Sequence, residues 1–179
     1  MLTFVSHADR REILVYFKER FGIPEEAFDG FRLLKKGRTI WAVKDGPGLE
    51  QILKQLRVEA AGVPLIRVRT AMRKPTTAGL RLWQPTRNVA DLDNGALEDF
   101  LNQGVLSKTF PVEPGYVVVR WREEVLGCGL YSPGKLQSQI PKHWWQQVRG
   151  KIDRLRPHNL GLKTGVGKEG SGDGSGVDP

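Results

Sequence analysis

The stretch that decides the fold is residues 115–142, GYVVVRWREEVLGCGLYSPGKLQSQIPK. Its β-branched and aromatic runs are separated by short polar or Pro-Gly segments, a pattern typical of strands joined by tight turns. The order is a strand at 116–121, a polar turn at 122–124, a strand at 125–131, a Ser-Pro-Gly turn, and a strand at 135–140. The sequence therefore predicts a three-stranded β-meander.

Two glycines, Gly127 and Gly129, lie in the second of these strands. Their two-residue spacing places them on one face of the strand. A missing side chain there permits a bulge, a tight coil or the close approach of another backbone. The pair marks either a barrel corner or a ligand surface. Cys128 between them is interpreted as a small buried thiol.

An aliphatic strand followed by Leu-Gly-Cys-Gly-Leu-Tyr, Gly-Lys-Leu and Ile-Pro-Lys resembles the closing half of a PUA-type RNA-binding domain. The likeness is closest to the PUA-like module at the C-terminus of Sun-type RNA cytosine methyltransferases. A second stretch, KPTTAGLRLWQPTRN at residues 74–88, is similar to the opening strand and helix of that module. The resemblance implies a mixed β-barrel with short helices and RNA contact near the glycines and the basic sheet ends.

The residues before this module predict a small α/β unit. Ser6 caps a helix that ends at Gly22, with Ile13, Leu14, Phe17 and Phe21 at helical spacing. A hairpin at 31–43, a helix at 48–56 with Leu49, Ile52, Leu53 and Leu56 inward, and a strand at 64–70 follow. This layout is similar to the small domain that precedes the PUA domain in some ribosome-assembly factors.

The sequence thus predicts an α+β protein in three parts. An N-terminal α/β, pre-PUA-like domain covers residues 1–70, and a PUA-like RNA-binding domain covers residues 71–156, with helices near 96–101 and 144–155. Residues 157–179 are rich in Gly and Ser and lack apolar periodicity, so burial cannot offset the entropy of ordering them. A disordered C-terminal tail is expected there.

The 179-residue chain is basic, with a formal net charge of +8, which favours a polyanionic partner. Composition alone fits a merely soluble basic protein equally well. The charge is concentrated: residues 64–88 contain six cations and no acid. Arginine binds phosphate in a bidentate manner and stacks on bases, which suits RNA. The alternative is a solvated face paired with acids elsewhere, such as Asp91, Asp93 and Glu98.

A second basic segment after residue 135 encloses Trp144 and Trp145. An aromatic ring framed by cations can stack a base while the cations hold its phosphate, although adjacent tryptophans on a helix cannot both face the same way. Thr76 and Thr77 match the resembled module, but threonine at this place can equally cap a helix. The predicted RNA-binding residues are Arg67, Arg69, Arg73, Lys74, Thr76, Arg81, Arg87, Asn88, Gly127, Gly129, Lys135, Lys142, Trp144 and Arg149.

No catalytic residue, cofactor or metal site is predicted. Methylation at C5 of cytosine needs an activated cysteine and a Gly-rich turn for the methyl donor, and the sequence has neither pattern. One cysteine and three scattered histidines do not give a zinc-binding spacing. No apolar run is long enough to span a membrane, so a cytoplasmic protein without membrane contact is expected.

The sequence therefore predicts a non-catalytic RNA-binding protein that acts on rRNA or tRNA in ribosome assembly or RNA modification. The alternative is a protein-interaction module that recruits a separate RNA methyltransferase or ribosome-assembly factor. Its docking surface would be an apolar patch around Phe28, Phe31 and Trp41.

Overall fold

The computed structural model describes residues 2–55, 58–69 and 72–155. Within these ranges the chain forms two five-stranded sheets with helices packed on them. The elements are β1 (Thr3–Phe4), α1 (His7–Phe21), a 3-10 helix (Glu25–Phe28), β2 (Phe31–Lys36), β3 (Thr39–Lys44), α2 (Leu49–Gln55), β4 (Val63–Arg69), β5 (Met72–Pro75), α3 (Thr77–Leu82), β6 (Val89–Leu92), α4 (Asn94–Gln103), β7 (Val105–Leu106), β8 (Gly115–Trp121), β9 (Glu124–Ser132), β10 (Lys135–Ser138) and α5 (Lys142–Leu155).

The first sheet has the order β1-β2-β3-β4-β5, and every neighbouring pair is antiparallel. Helix α1 supplies much of the core beside it, including the fully buried Phe17 and Phe21. The Ser6 hydroxyl accepts a hydrogen bond from the Asp9 amide at 3.1 Å, and α1 ends at Gly22, whose φ of 64° is left-handed. The predicted limits of this helix are confirmed.

The second sheet has the order β6-β8-β9-β10-β7 and curls into a half-barrel. Strands β8, β9 and β10 form the predicted antiparallel meander, whereas β6 runs parallel to β8. A register shift beside Val119 bends the β8–β9 pair, as a β-bulge does. Helix α4 begins at its cap Asp93, which accepts from the Ala96 amide at 2.7 Å, and ends at Gly104.

Helix α3 joins the two sheets, because it packs on β4 of the first and β9 of the second. A side chain at Gly79 would place its Cβ 2.5 Å from the Leu65 carbonyl oxygen, so the glycine allows the helix to lie directly on β4. Val118 and Cys128, from β8 and β9, belong to the same buried cluster as α1 and the first sheet. The two sheets therefore share a core.

Arg20 of α1 fastens the segment that leads into β8. Its guanidinium donates to the carbonyl oxygens of Glu113, Pro114 and Tyr116 at 2.9 Å each and pairs with the Glu113 carboxylate at 2.8 Å. Three of these bonds are to backbone carbonyl oxygens, so Arg20 fixes the position of the main chain at residues 113–116 as well as pairing with the Glu113 carboxylate. The orientation of the second sheet relative to α1 is set at this point.

The predicted α+β class, with a PUA-like C-terminal half, is confirmed. The expected inward position of Ile52 is wrong, since its side chain in α2 is 47% exposed. The predicted boundary between residues 70 and 71, Leu56 of the second helix, and the tail at 157–179 lie outside the described residues. The three-part domain division stays a prediction.

Candidate nucleic-acid interface

The outer face of β4 and β5 carries a basic patch. Arg67 and Arg69 are both exposed, and their register partners on β5 are Lys74 and Met72. Directly opposite residues of antiparallel strands share a face, so these four side chains form one surface, here named the strand patch. Within the described ranges, neither Arg67 nor Arg69 makes an ion pair. The predicted placement of these two arginines on one face is confirmed.

The strand patch has an energetic cost. Arg67 lies directly opposite Lys74, and like charges in this position destabilise a strand pair. The exposed Met72, at 57% accessibility, adds an apolar side chain between cations. These cations stay available for an anionic ligand, because no acidic side chain among the described residues pairs with them.

Lys74 extends the strand patch to the second sheet. Its ammonium donates to the Gln139 side-chain oxygen at 2.6 Å and lies 5.9 Å from the centre of the Tyr116 ring. Tyr116 is half-buried, and burial raises the pKa of its hydroxyl while the nearby Arg69 opposes the shift, so the phenol stays neutral. Tyr116 is not among the residues predicted from the sequence, because only the tertiary fold brings β8 beside Lys74.

Arg81 and Trp144 form a second basic and aromatic element. The Arg81 guanidinium carbon lies 5.0 Å from the centre of the Trp144 ring, within cation–π distance. Trp144 is half-buried against the apolar cluster between the second sheet, α4 and α5, and Trp145 packs on Phe100 with ring centres 5.7 Å apart. Both tryptophans thus contribute to packing.

The segment 139–144 connects the two basic elements. Lys74 holds one end of it through Gln139, and Arg81 holds the other end through Trp144. Five residue steps span at most about 18 Å, so the segment brings Lys142 and the contacts made by Lys74 and Arg81 within that distance of one another. Lys142 is exposed and, in the described part of the chain, makes no ion pair.

Two predicted cations have acidic partners. Arg73 pairs with Glu12 of α1, on the opposite face of β5 from the strand patch. Arg87 lies 4.0 Å from the Glu113 carboxylate. These are weak, solvent-screened pairs of the kind expected for surface charges. Two of the three acids named in the alternative interpretation bind other cations: Asp91 binds Arg120 at 2.6 Å, and Asp93 binds Lys108 at 2.7 Å.

Two further predicted cations belong to the second sheet and the helix that follows it. Lys135 is exposed at the β9–β10 turn and makes no ion pair within the residues described. The Arg149 guanidinium donates to the Leu101 carbonyl at the end of α4. Arg149 therefore belongs to the α4–α5 side of the second sheet.

Thr76 and Asn88 have structural partners. The Thr76 hydroxyl caps α3 by accepting from the Gly79 amide at 2.8 Å, and it donates to the carbonyls of Pro64 and Leu65. Asn88 adopts a left-handed conformation with φ of 50°, donates to the Arg20 carbonyl at 2.9 Å, and accepts from the Glu113 amide at 2.8 Å. The helix-cap interpretation of Thr76 is confirmed.

Gly127 and Gly129 are buried, and the protein's own side chains fill the space beside them. A Cβ at Gly127 would lie 2.7 Å from atoms of Ile140 and Thr77, and one at Gly129 would lie 2.8 Å from Leu136 and Val119. Their missing side chains thus let α3 and neighbouring strands approach β9. Of the two interpretations of this pair, the structure supports the barrel corner. Neither glycine is part of the basic surface, because both are buried.

Residues 87–146 match the family model described as the methyltransferase RsmF PUA domain. The C-terminal half of the chain contains a PUA domain. The match runs from the start of β6 into α5 and includes Lys135, Lys142 and Trp144, whereas the strand patch and Arg81 precede it. The predicted resemblance to the module of Sun-type methyltransferases is confirmed. A PUA domain suggests RNA binding.

Residues 3–62 match a model described as a family of unknown function, DUF7122. The chain matches none of the curated proteins. The crystal structure of a hypothetical protein from the hyperthermophilic archaeon Pyrococcus horikoshii is similar, with a TM-score of 0.45 and 16% identity, over 80% of this chain and 98% of that one.

None of the helices in the described ranges is long and apolar enough to cross a membrane. The same ranges hold no group of three His, Cys, Asp or Glu side chains placed to bind a metal ion.

Proposed function

We propose that this chain is a non-catalytic protein that binds structured RNA, rRNA or tRNA, during ribosome assembly or RNA modification. The match of residues 87–146 to a PUA domain carries the proposal. The strand patch supports it, because its cations lie beside that domain and make no ion pair with any residue in the described ranges.

The RNA would lie across the strand patch, the segment 139–144 and Arg81, with Lys135 at the margin. Exposed cations that lack acidic partners release counterions from a phosphate backbone when they bind it, which drives affinity without sequence preference. Lys74 bridges the part of this surface on the first sheet and the part on the PUA domain. We therefore expect RNA to contact both sheets at once.

The environment of Cys128 supports a non-catalytic role for its thiol. The side chain is fully buried, and burial raises the pKa of the Cys128 thiol to about 12, although Lys74 opposes the shift. A nucleophilic cysteine needs to be a thiolate that its substrate can reach. Cys128 instead occupies the shared core between the sheets.

The alternative recruiting role needs exposed aromatic side chains on the N-terminal unit. Phe28 is fully buried, with its ring centre 4.2 Å from that of Trp83, and Phe31 packs on the same indole at 5.9 Å. Phe28 is part of the buried cluster built on α1 and the first sheet, and Phe31 packs against it, so these two rings give no support to that role over RNA binding. A methyltransferase or assembly-factor partner and a cytoplasmic location stay predictions.

Crosslinking and sequencing of RNA bound to the tagged protein in its native cells tests the proposal. A Lys135→Glu/Lys142→Glu variant is run in parallel, with Arg11→Glu/Lys44→Glu as a control of equal charge change. All four side chains are exposed, and the control pair lies outside the residues matched to the PUA domain. We expect one rRNA or tRNA region to be enriched, and to be lost only in the first variant. Absence of enrichment over background would refute RNA binding.

A further inference from the structure

One stretch of this basic chain carries only acidic charge. Residues 169–179, EGSGDGSGVDP, contain Glu169, Asp173 and Asp178 but no Lys or Arg, in a chain whose 28 basic residues outnumber its 20 acidic ones. We name this stretch the acidic segment. It lies outside the described residues, and its charge is opposite to that of the strand patch.

The strand patch has no acidic partner inside the described ranges. Arg67 and Arg69 are exposed and make no ion pair there, and Arg67 lies directly opposite Lys74, which it repels. Lys142, at the start of α5, is likewise exposed and makes no ion pair with a described residue. A carboxylate beside Arg67 would therefore relieve a repulsion that the described fold leaves in place.

The length of chain beyond α5 matches the distance back to this surface. Helix α5 runs from Lys142 to Leu155, so at about 1.5 Å per residue its end lies about 20 Å from its start. Glu169 follows Leu155 by 14 positions. For the disordered tail that the sequence predicts, the r.m.s. distance across 14 positions is about 5–6 Å times their square root, or about 20 Å. Effective concentration is highest when the r.m.s. length of a linker equals the span, so the segment meets Lys142 at a concentration on the order of 1 mM.

The acidic segment is also long enough to reach the strand patch from Lys142. Gln139, which accepts the hydrogen bond from Lys74, is three positions before Lys142 and thus at most about 11 Å from it. Glu169 and Asp178 are nine positions apart, which an extended chain spans with about 30 Å. One carboxylate can therefore lie at Lys142 while another lies at Lys74 or Arg67.

We propose that the acidic segment docks on the strand patch and Lys142 when RNA is absent, so that its carboxylates occupy the cations that bind phosphate. The inference concerns the regulation of the proposed RNA-binding surface and rests on that function. The three carboxylates are four and five positions apart, whereas RNA has a phosphate at every nucleotide. An RNA that covers the whole surface displaces the segment, and a polyanion that reaches only one or two cations does not. The segment thus makes the protein select against short or poorly fitting anions.

The first test detects docking without RNA. A nitroxide is attached at Ser171→Cys, in the acidic segment, while the fully buried Cys128 stays unlabelled in the folded protein. Relaxation enhancement of backbone amide signals is measured by NMR at about 0.1 M and about 1 M salt, where the Debye length is about 10 Å and about 3 Å. We expect the signals of β4 and β5 to broaden at the lower salt concentration and to recover at the higher one.

Charge variants assign the contact. Glu169→Gln/Asp173→Asn/Asp178→Asn, the neutral-segment variant, should lose the broadening, and so should Arg67→Glu/Arg69→Glu. Two controls with the same charge changes at exposed positions should keep it. They are Glu19→Gln/Asp29→Asn/Asp99→Asn for the segment and Arg11→Glu/Lys44→Glu for the patch.

The second test measures regulation, as the affinity for one hairpin RNA by fluorescence anisotropy at about 0.1 M salt, where surface charge pairs still contribute. The neutral-segment variant should bind about threefold more tightly than its control, since a few weak ion pairs at high effective concentration are removed. In the Arg67→Glu/Arg69→Glu background, the same neutralisation should give no gain over its control, because the docking site is absent.

The outcomes separate this inference from the proposed function. Absent broadening at the lower salt concentration, or broadening that survives in the neutral-segment variant, would overturn docking and leave RNA binding standing. Docking without the gain in RNA affinity would overturn the regulatory role. If no variant binds the hairpin, both the proposed function and its regulation are overturned, whatever the NMR signals show.

Discussion

Replacement of Gly79 by alanine tests whether α3 determines how the two sheets fit together. Alanine is the better helix former by about 1 kcal/mol, so helix propensity alone predicts stabilisation. The structure predicts the reverse, since the new Cβ would lie 2.5 Å from the Leu65 carbonyl oxygen and 3.0 Å from the Leu65 Cα. Both atoms are backbone atoms of β4 and cannot move aside as the end of a flexible side chain can.

The expected size of the effect follows from the cost of overpacking. Inserting a methyl group into a well-packed contact typically costs about 1–3 kcal/mol, and more where backbone must shift. Because the contacted atoms are backbone atoms, we take the upper part of this range, about 2–3 kcal/mol, and subtract about 1 kcal/mol for helix propensity. The expected net loss is about 1–2 kcal/mol, which lowers the melting temperature by about 2–8 °C for a domain of this size. Arg81 lies in α3, so a shift of this helix would also change the distance of 5.0 Å between the Arg81 guanidinium and the Trp144 ring.

Gly150→Ala is the matched control. Gly150 lies inside α5, and among the described residues no atom outside its chain neighbours and its own helix backbone lies within 4 Å of the position that its Cβ would take. Alanine there should stabilise the protein by up to about 1 kcal/mol through helix propensity. Thermal melting followed by circular dichroism separates the two variants by the sign of the change. A melting temperature that rises or stays constant in Gly79→Ala would refute close packing of α3 on β4.

Three further outcomes are expected. Arg67→Glu/Arg69→Glu should weaken RNA binding and reduce the magnitude of the slope of log affinity against log salt concentration by about 1.5, since each lost phosphate contact removes about 0.7–0.9. An unchanged slope in salt titrations would contradict phosphate binding by the strand patch. Native Cys128 should resist alkylation by iodoacetamide at pH 8 and react once the chain is unfolded, since burial raises the pKa of its thiol to about 12; rapid native labelling by mass spectrometry would contradict its burial. Hydrogen bonds from the Ala96 amide and then from Lys108 lower the pKa of Asp93 in the folded state. The ionised Asp93 therefore stabilises the fold above the ordinary pKa of aspartate, and this stabilisation is lost as the pH falls through the lowered pKa. In Asp93→Ala, the melting temperature should depend less on pH across this acidic range.

The parts of the fold that local chemistry specifies could be predicted. Helix α1 has an N-cap hydroxyl at Ser6, an apolar stripe and a C-cap glycine at Gly22, and these three local signals are sufficient to predict where the helix begins and ends. The meander of β8, β9 and β10 followed from strand-forming runs and turn residues. Strands β1 and β7 have two residues each, too few to show any periodicity, and the parallel pairing of β6 with β8 connects segments distant in sequence.

The candidate site was predicted in part, because a side chain's partners depend on tertiary structure. Alternation along β4 placed Arg67 and Arg69 together, but the sequence did not show that Arg73 would point to Glu12 instead. The glycines of β9 could mark a ligand surface or a packed corner, and only the positions of Ile140 and Leu136 decide between these. Tyr116 gave no local signal at all, since its partner Lys74 lies on another sheet.

The core that the two sheets share limits how the PUA domain can be transplanted. Val118 and Cys128 of that domain are fully buried in the cluster built by α1 and the first sheet, and Arg20 holds the segment that enters β8. A fragment that begins at residue 71 would leave both side chains without their apolar neighbours and that segment without its clamp. In a chimeric protein, residues 2–155 should therefore be inherited as one unit, since a loss of RNA affinity in the shorter fragment would combine misfolding with the absence of Arg67 and Arg69.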